Sequence, residues 1–235
     1  MFGFGEDTVT CTLNNTLSNA SYWLDYILRP NRDSILISCI QPIIASIGIF
    51  LNLAFIAMVW TRKNLHSVTN TYLVHLAIAD SMFVFFKTVV NFISYFKSPW
   101  APNWAFLGPA GCIIDKVVPS SCYYASLLIV TLVTLDRYLA ICFPFKHRQI
   151  ASHGRARKLL MLCWMTAILS GSVHAFEGVN FNTFCMQPSG RTDIFYKFAS
   201  CSPFNRKITN TTSYILEFGS FVVLMSGKVY LICSF

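Results

Sequence analysis

Five long apolar runs divide this sequence of 235 residues, and they leave few folds open to it. A helix needs about 20 mostly apolar residues to cross the hydrocarbon core of a bilayer, because each residue advances the helix by about 1.5 Å. Runs of this kind extend over Ile35 to Trp60, Tyr72 to Tyr95, Ile113 to Phe143, Leu159 to Phe176 and Tyr214 to Phe235. The sequence therefore predicts an all-α, polytopic bundle of five transmembrane helices over residues 35–235, preceded by an N-terminal segment, residues 1–34.

The composition agrees with a lipid environment. Apolar residues make up 54% of the chain and charged residues only 12%, a balance unsuited to a soluble domain, whose surface must be largely polar. The formal net charge of +8 does not indicate nucleic-acid binding, because the basic residues do not gather on one periodic face. We therefore expect membrane lipid, and not nucleic acid, as a partner.

Charge and glycosylation signals together predict the orientation. The connections 61–71 and 144–158 contain basic residues and no acidic ones, which is typical of cytoplasmic loops; these residues are Arg62, Lys63, Lys146, Arg148, Arg155, Arg157 and Lys158. Three glycosylation acceptors, Asn14, Asn19 and Asn210, all fall on the opposite side. We expect a multi-pass plasma-membrane glycoprotein whose N-terminal segment is extracellular.

The nine cysteines separate into two groups. Five of them fall within or at the ends of apolar runs, where cysteine is usually a packing residue; they are Cys39, Cys122, Cys142, Cys163 and Cys233. Cys11, Cys112, Cys185 and Cys201 lie in polar connections. These four are able to form disulfide bonds if their connections face the oxidising, extracellular side.

Ionisable residues inside a span are costly and usually functional, and Asp80 is the clearest example. One interpretation is a protonated carboxyl group that is hydrogen-bonded for packing. The other is a cation or water site shared with polar residues of other helices, for which Asn52 and Ser126 are the natural candidates.

Further charged residues lie toward the extracellular ends of the spans. Lys87 follows Asp80 by about two helical turns on nearly the same face, and it either receives a ligand carboxylate or extends its ammonium group toward the membrane interface. Asp115, Lys116 and Glu217 either line an extracellular vestibule or are solvated helix termini.

The third run carries two markers at opposite ends. Cys112 and the segment Asp136-Arg137-Tyr138 are about 25 residues apart, or roughly 37 Å of helix, which is enough to cross a bilayer. The segment from Thr134 to Phe145 closely resembles the Asp-Arg-Tyr region of rhodopsin-like (class A) G protein-coupled receptors, and the offset back to Cys112 is that of the family. The resemblance implies five spans of a seven-transmembrane receptor fold.

The resemblance assigns roles to the polar positions. It implies that Arg137 is the cytoplasmic switch that meets the G protein, that Asp136 restrains it beside Tyr138, and that Phe145 is a hydrophobic contact of the second loop. Three other residues are similar to the family's sodium site: Asn52, Asp80 and Ser126. A sodium ion is then an allosteric modulator, and no other metal or cofactor is expected.

The resemblance also implies a disulfide bond from Cys112 to the second extracellular loop. Residues 179–201 have the pattern of a hairpin around the turn 188–191, and peptide-type receptors usually carry the bridging cysteine on the second strand. This favours Cys201 over Cys185 as the partner. Cys185 is then free or pairs with Cys11.

Departures from the family pattern reduce the range of ligands and activities to be expected of this chain. Pro119 stands where amine receptors carry their ligand-binding aspartate, which argues against a monoamine ligand. The sixth and seventh spans, with their Trp-Pro and Asn-Pro-x-x-Tyr elements, do not occur in the sequence. Without them we expect that the chain cannot signal alone and that it comes from an incomplete gene sequence.

The resulting prediction is a receptor that couples an extracellular peptide to a G protein. The stretch from His174 to Glu177 resembles that of invertebrate FMRFamide-type neuropeptide receptors. One alternative is a natural truncated isoform, retained in the endoplasmic reticulum or associated with full-length receptors in a dimer; another is a small transporter or channel. An enzyme is not expected, because the sequence contains no metal cluster, nucleophile elbow or phosphate loop.

Overall fold

The computed structural model describes residues 35–97, 108–177, 180–186 and 196–202. Several of the residues singled out above lie outside these ranges: the N-terminal segment 1–34, the apolar run 214–235, the acceptors Asn14, Asn19 and Asn210, and Glu217. The described ranges contain the first four predicted spans and part of the second extracellular loop.

The helices follow the predicted order. Helix α1 covers Gln41–Thr61 after a π-helical turn, Leu36–Ile40; α2 covers Val68–Lys97, α3 Gly108–Cys142, α4 Pro144–Ile150 and α5 His153–Val173. The 3-10 turns Lys63–Leu65 and His174–Glu177 precede α2 and follow α5. Ser152 begins α5 as its N-cap, where its hydroxyl oxygen accepts a hydrogen bond from the backbone N–H of Arg155.

Within the described ranges, four helices are long and apolar enough to span a membrane: Leu36–Thr61, Val68–Phe96, Gly108–Cys142 and His153–Val173. They confirm the all-α prediction. The observed helices α2, α3 and α5 begin four to six residues before the predicted runs, because a helix continues through polar turns on either side of the hydrocarbon core. The fifth predicted span lies outside the described residues.

Helix α3 is central and packs against both α2 and α5, while α1 packs against α2. Small residues allow the close approach: Ala79, Ala125 and Ala167 are completely buried and form one cluster with Tyr124. A second cluster, nearer the cytoplasmic side, contains Tyr72, Ile129, Ala156, Leu160 and Cys163. Many large apolar side chains of α1 and α5 are exposed instead, as expected of surfaces that face lipid.

A close contact between α3 and α5 involves Gly171 and Ser121. A Cβ atom added at Gly171 would lie 2.7 Å from the backbone nitrogen of Ser121 and 2.9 Å from its Cα. No real Cβ approaches a backbone atom so closely, so only glycine fits at this position.

The second extracellular loop is a β-hairpin, as predicted. Strand β1, Asn180–Met186, pairs antiparallel with β2, Tyr196–Ser202, with Asn180 opposite Ser202 and Met186 opposite Tyr196. The predicted turn, 188–191, lies outside the described residues.

Candidate functional site

A disulfide bond ties the hairpin to the extracellular end of α3. The structure joins Cys112 to Cys201, with their Cα atoms 5.6 Å apart, and the Cys112 side chain is completely buried. The partner is thus the cysteine on β2. Cys185 lies on β1 opposite Lys197, while Cys11, its alternative partner, lies outside the described residues.

Below the hairpin, Lys87 of α2 forms an ion pair with Asp115 of α3. Lys87 Nζ lies 3.2 Å from Asp115 Oδ1, and the Asp115 side chain is only 6% exposed, whereas that of Lys87 is 34% exposed. Asp115 is therefore a buried ion-pair partner and not a solvated helix terminus. The Lys87 side chain extends from α2 to α3, where Asp115 positions its ammonium group.

The ion pair lies in a cavity between α2, α3 and the 3-10 turn that follows α5, which we name the outer cavity. Its volume is about 270 Å³, and its described walls combine three charged side chains with aromatic and small polar ones: Phe83, Lys87, Asp115, Lys116, Pro119, Ser120, Tyr123, Tyr124 and His174. Four of the five predicted pocket residues, Lys87, Asp115, Lys116 and Pro119, thus line one space. Glu217, the fifth, is outside the described residues.

Tyr124 and His174 close the inner wall of the outer cavity. Tyr124 Oη lies 3.1 Å from His174 Nε2, and the two rings stack with centroids 5.9 Å apart. Both residues are buried. The sequence alone did not indicate this pair, because Tyr124 lies in an apolar helix and His174 follows the end of another, 50 residues later.

At mid-membrane depth, Asp80 of α2 meets Ser126 of α3. The Ser126 hydroxyl donates a hydrogen bond of 2.5 Å to Asp80 Oδ1. Asn52 of α1 is partly buried, but the described structure contains no hydrogen bond from it to either residue. Two of the three residues assigned to the sodium site are therefore in direct contact.

A neighbouring polar contact joins α2 to α5. Trp164 Nε1 donates a hydrogen bond of 3.4 Å to His75 Nδ1. Trp164 also packs against the cluster that contains Tyr124. This hydrogen bond links α5, the fourth span, to α2, the second span.

The cytoplasmic end differs from the expectation that Asp136 restrains Arg137. The Thr69 hydroxyl donates a hydrogen bond of 2.7 Å to Asp136 Oδ2, and His147 Nε2 lies 3.0 Å from Asp136 Oδ1. No ion pair between Asp136 and Arg137 occurs in the described structure, and Arg137 is exposed. The carboxylate of Asp136 thus binds side chains of α2 and α4, while the side chain of Arg137 is exposed at the cytoplasmic end of α3.

Helix α4 explains how His147 reaches Asp136. Pro144 stands in its first turn, where the missing N–H costs nothing, and Phe143 breaks the α3 helix before it. The chain therefore turns back beneath α3, with His147 facing inward and Phe145 84% exposed. Tyr138 packs edge-on against Phe143 at this bend, with ring centroids 6.1 Å apart.

Comparison with known proteins agrees with this architecture. The sequence matches the profile of a family described as 7 transmembrane receptor (rhodopsin family) over residues 51–235. It is 27% identical over 177 residues to neuromedin-U receptor 2 of Mus musculus, 28% over 130 residues to the motilin receptor of Homo sapiens, and 31% over 143 residues to the neuromedin-K receptor of Oryctolagus cuniculus.

These matches cover 74%, 55% and 60% of the chain, but only 44%, 30% and 29% of the respective relatives. The chain thus spans less than half the length of the curated relatives it matches. The match to the family extends over most of the chain, including the predicted fifth span.

Proposed function

Because this chain belongs to the rhodopsin family of seven-transmembrane receptors, we propose that it transmits an extracellular peptide signal to an intracellular G protein at the plasma membrane. The family consists of receptors and not of enzymes, and the chain is a multi-pass membrane protein.

The observation that carries the proposal is that one helix connects both functional ends. Asp115 lines the outer cavity and Arg137 is exposed at the cytoplasmic face, both on α3. The 22 residues between them correspond to about 33 Å of helix, close to the thickness of the hydrocarbon core. A shift of α3 caused by a ligand above would therefore act on the residues that face the cytoplasm.

The relatives and the extracellular surface favour a peptide ligand. The relatives are receptors for peptides, including neuromedin U, motilin and neuromedin K. In this chain the outer cavity has both charged and aromatic walls, which suits the side chains and termini of a peptide. Pro119, buried in the cavity wall, offers no carboxylate for an amine.

On the cytoplasmic side, the proposed G protein contacts are Arg137 and Phe145. Both are exposed there, with Phe145 on α4 and Arg137 at the inner end of α3. A large exposed aromatic side chain in a cytoplasmic loop is a frequent anchor in protein interfaces. The part of Asp136 is to hold α4 in position through His147.

We propose a sodium or water site at the Asp80 and Ser126 pair. Asp80 Oδ1 accepts the Ser126 hydroxyl, which leaves carboxylate lone pairs for a cation, and hard cations such as sodium prefer oxygen ligands. Asn52 is the candidate from α1, and an ion or water would have to bridge to it.

The experiment is to express the full-length transcript in cells and to measure G protein dissociation against a panel that includes neuromedin U, motilin and neuromedin K. We expect a saturable response to at least one peptide. The variant Arg137→Met should abolish the response with normal surface expression, whereas the matched Arg62→Met, in the first cytoplasmic loop, should retain it. Absence of any peptide response from a surface-expressed protein would refute the proposal.

A further inference from the structure

The described walls of the outer cavity have more positive than negative charge. Lys87 and Lys116 contribute two ammonium groups, and Asp115 is the one carboxylate among the described lining residues. No ion pair to Lys116 occurs in the parts of the chain that the structure describes. The cavity therefore carries one uncompensated positive charge on its described walls.

Asp115 is not available to a cationic ligand. Its side chain is 6% exposed and already pairs with Lys87 at 3.2 Å. A ligand ammonium group would have to displace Lys87 from a buried carboxylate or lie beside it, and two like charges in a site of low dielectric repel each other. The charge and the burial thus both disfavour a cationic group at this point.

Lys87, in contrast, has capacity for a second partner. An ammonium group has three donor hydrogens, and those that meet Asp115 Oδ1 and its backbone oxygen, at 3.2 and 3.5 Å, leave one without a partner among the described residues. About a third of the side chain is exposed to the cavity and its surroundings. Asp115 thereby holds Lys87 in place as a positioning residue, while the third donor remains available.

Aromatic side chains stand next to this positive charge. Phe83, Tyr123 and Tyr124 line the same cavity, and Tyr123 is 41% exposed. Aromatic walls contribute a large apolar contact area and stack against other rings. The cavity thus combines an anion anchor with a surface for an aromatic group.

We propose that the outer cavity selects ligands that present a carboxylate beside an aromatic group, with Lys87 as the primary anchor, Lys116 as the second and Asp115 positioning Lys87. This inference rests on the proposed function, since it takes the outer cavity as the ligand site. A peptide with an amidated C-terminus would have to supply the carboxylate from an acidic side chain.

The test uses two small probes that differ in one charge, N-acetyl-phenylalanyl-phenylalanine as the free acid and as the C-terminal amide. Binding to the purified 235-residue chain in lipid nanodiscs is measured by ligand-observed NMR up to about 10 mM, which detects the weak affinities of fragments. We expect the acid to bind about tenfold more tightly, the effect of a charge-assisted hydrogen bond.

Variants assign the preference to Lys87. In Lys87→Met the ratio of acid to amide affinity should fall from about ten to about two, because only the second anchor, Lys116, remains. The matched Lys63→Met, which removes a lysine from the cytoplasmic loop, should leave the ratio unchanged. The ratio compares two probes on the same protein, so a loss of stability does not alter it. If Lys87→Met fails to fold, Lys116→Met should lower the ratio and Lys87→Arg should preserve it.

Three outcomes of the binding test would overturn the inference: equal binding of acid and amide, no binding of either probe, or an acid preference that is undiminished in Lys87→Met. None of them depends on signalling. A receptor that is activated only by peptides without a carboxylate would refute the inference and leave the proposed function standing. An acid preference in a protein that no peptide activates would refute the proposed function alone.

Discussion

His147 Nε2 lies 3.0 Å from Asp136 Oδ1, so the short cytoplasmic helix α4 is fastened to the inner end of α3. This contact joins residues 11 positions apart in the sequence. The hydroxyl group of Thr69, in α2, donates a hydrogen bond to the other carboxylate oxygen of Asp136. Side chains of α2 and α4 thus both contact the Asp136 carboxylate of α3. Any movement of α3 that shifts Asp136 would also displace the exposed Phe145 of α4.

The first prediction concerns this fastening. Asp136→Asn should weaken the bond to His147 and release α4, because a neutral amide is a poorer partner than a carboxylate. We expect amide hydrogen exchange in residues 144–150 to accelerate about fivefold, equivalent to about 1 kcal/mol. Arg148→Gln, an exposed change on the same helix, is the control. Unchanged exchange in Asp136→Asn would mean that α4 is held by other contacts.

The second prediction concerns the contact between α3 and α5. Gly171→Ala would place a Cβ 2.7 Å from the Ser121 backbone nitrogen, and overpacking of this kind costs about 1 to 3 kcal/mol. The thermal midpoint of the purified protein should fall. Gly154→Ala is a matched control, because a Cβ at Gly154 meets nothing within 4 Å. Equal midpoints for the two variants would contradict the observed approach of the helices.

The third prediction uses the unequal burial of Lys87 and Asp115. Lys87→Met leaves a buried carboxylate without its partner, which typically costs several kcal/mol, whereas Asp115→Asn leaves a lysine that can reach water. Lys87→Met should therefore lower the thermal midpoint more than Asp115→Asn. The double variant should be more stable than Lys87→Met alone. If the destabilisations of the two single variants simply add in the double variant, the ion pair contributes nothing to the stability of the protein.

The fourth prediction concerns the disulfide bond. Cys201→Ser should remove the link between the hairpin and α3 and destabilise the protein by about 2 to 4 kcal/mol, because the bond closes a long loop. In Cys185→Ser, mass spectrometry of unreduced peptides should still detect Cys112 joined to Cys201. Detection of Cys112 joined to Cys185 in the unmodified protein would show the opposite pairing.

The fifth prediction concerns the proposed sodium site. Sodium chloride should raise the thermal midpoint more than potassium chloride at equal ionic strength, since a ligand that binds only the folded state stabilises it. Asp80→Asn should abolish the difference, and Ser126→Ala should reduce it. An identical response to both salts in the unmodified protein would exclude a sodium-selective site.

Sequence reasoning gave the order of the four described spans and the hairpin correctly. Apolar runs of spanning length predict helices directly, because in lipid the backbone must satisfy its hydrogen bonds within the helix. Lys87 and Asp115 were each identified from the cost of charge near a membrane. Their pairing was not predicted, since it depends on how α2 is rotated against α3.

The errors and omissions lie where contacts cross between elements. Asp136 was assigned to its neighbour Arg137 by resemblance, yet its carboxylate binds Thr69 and His147. Tyr124 and His174 were not recognised as a pair, because neither the helical period of α3 nor the end of α5 indicates the other residue. A side chain's partner is set by helix rotation and depth, and these are properties of the packed bundle.

By itself, the sequence determined the membrane environment, the positions of the described spans and the residues that lipid would not tolerate unpaired, because these follow from length, polarity and chain order. Only the tertiary structure decided which of those residues meet. It brings Lys87 to Asp115, Ser126 to Asp80 and His147 to Asp136, because the close approach allowed by small residues such as Gly171 and Ala125 fixes the rotation of each helix against α3.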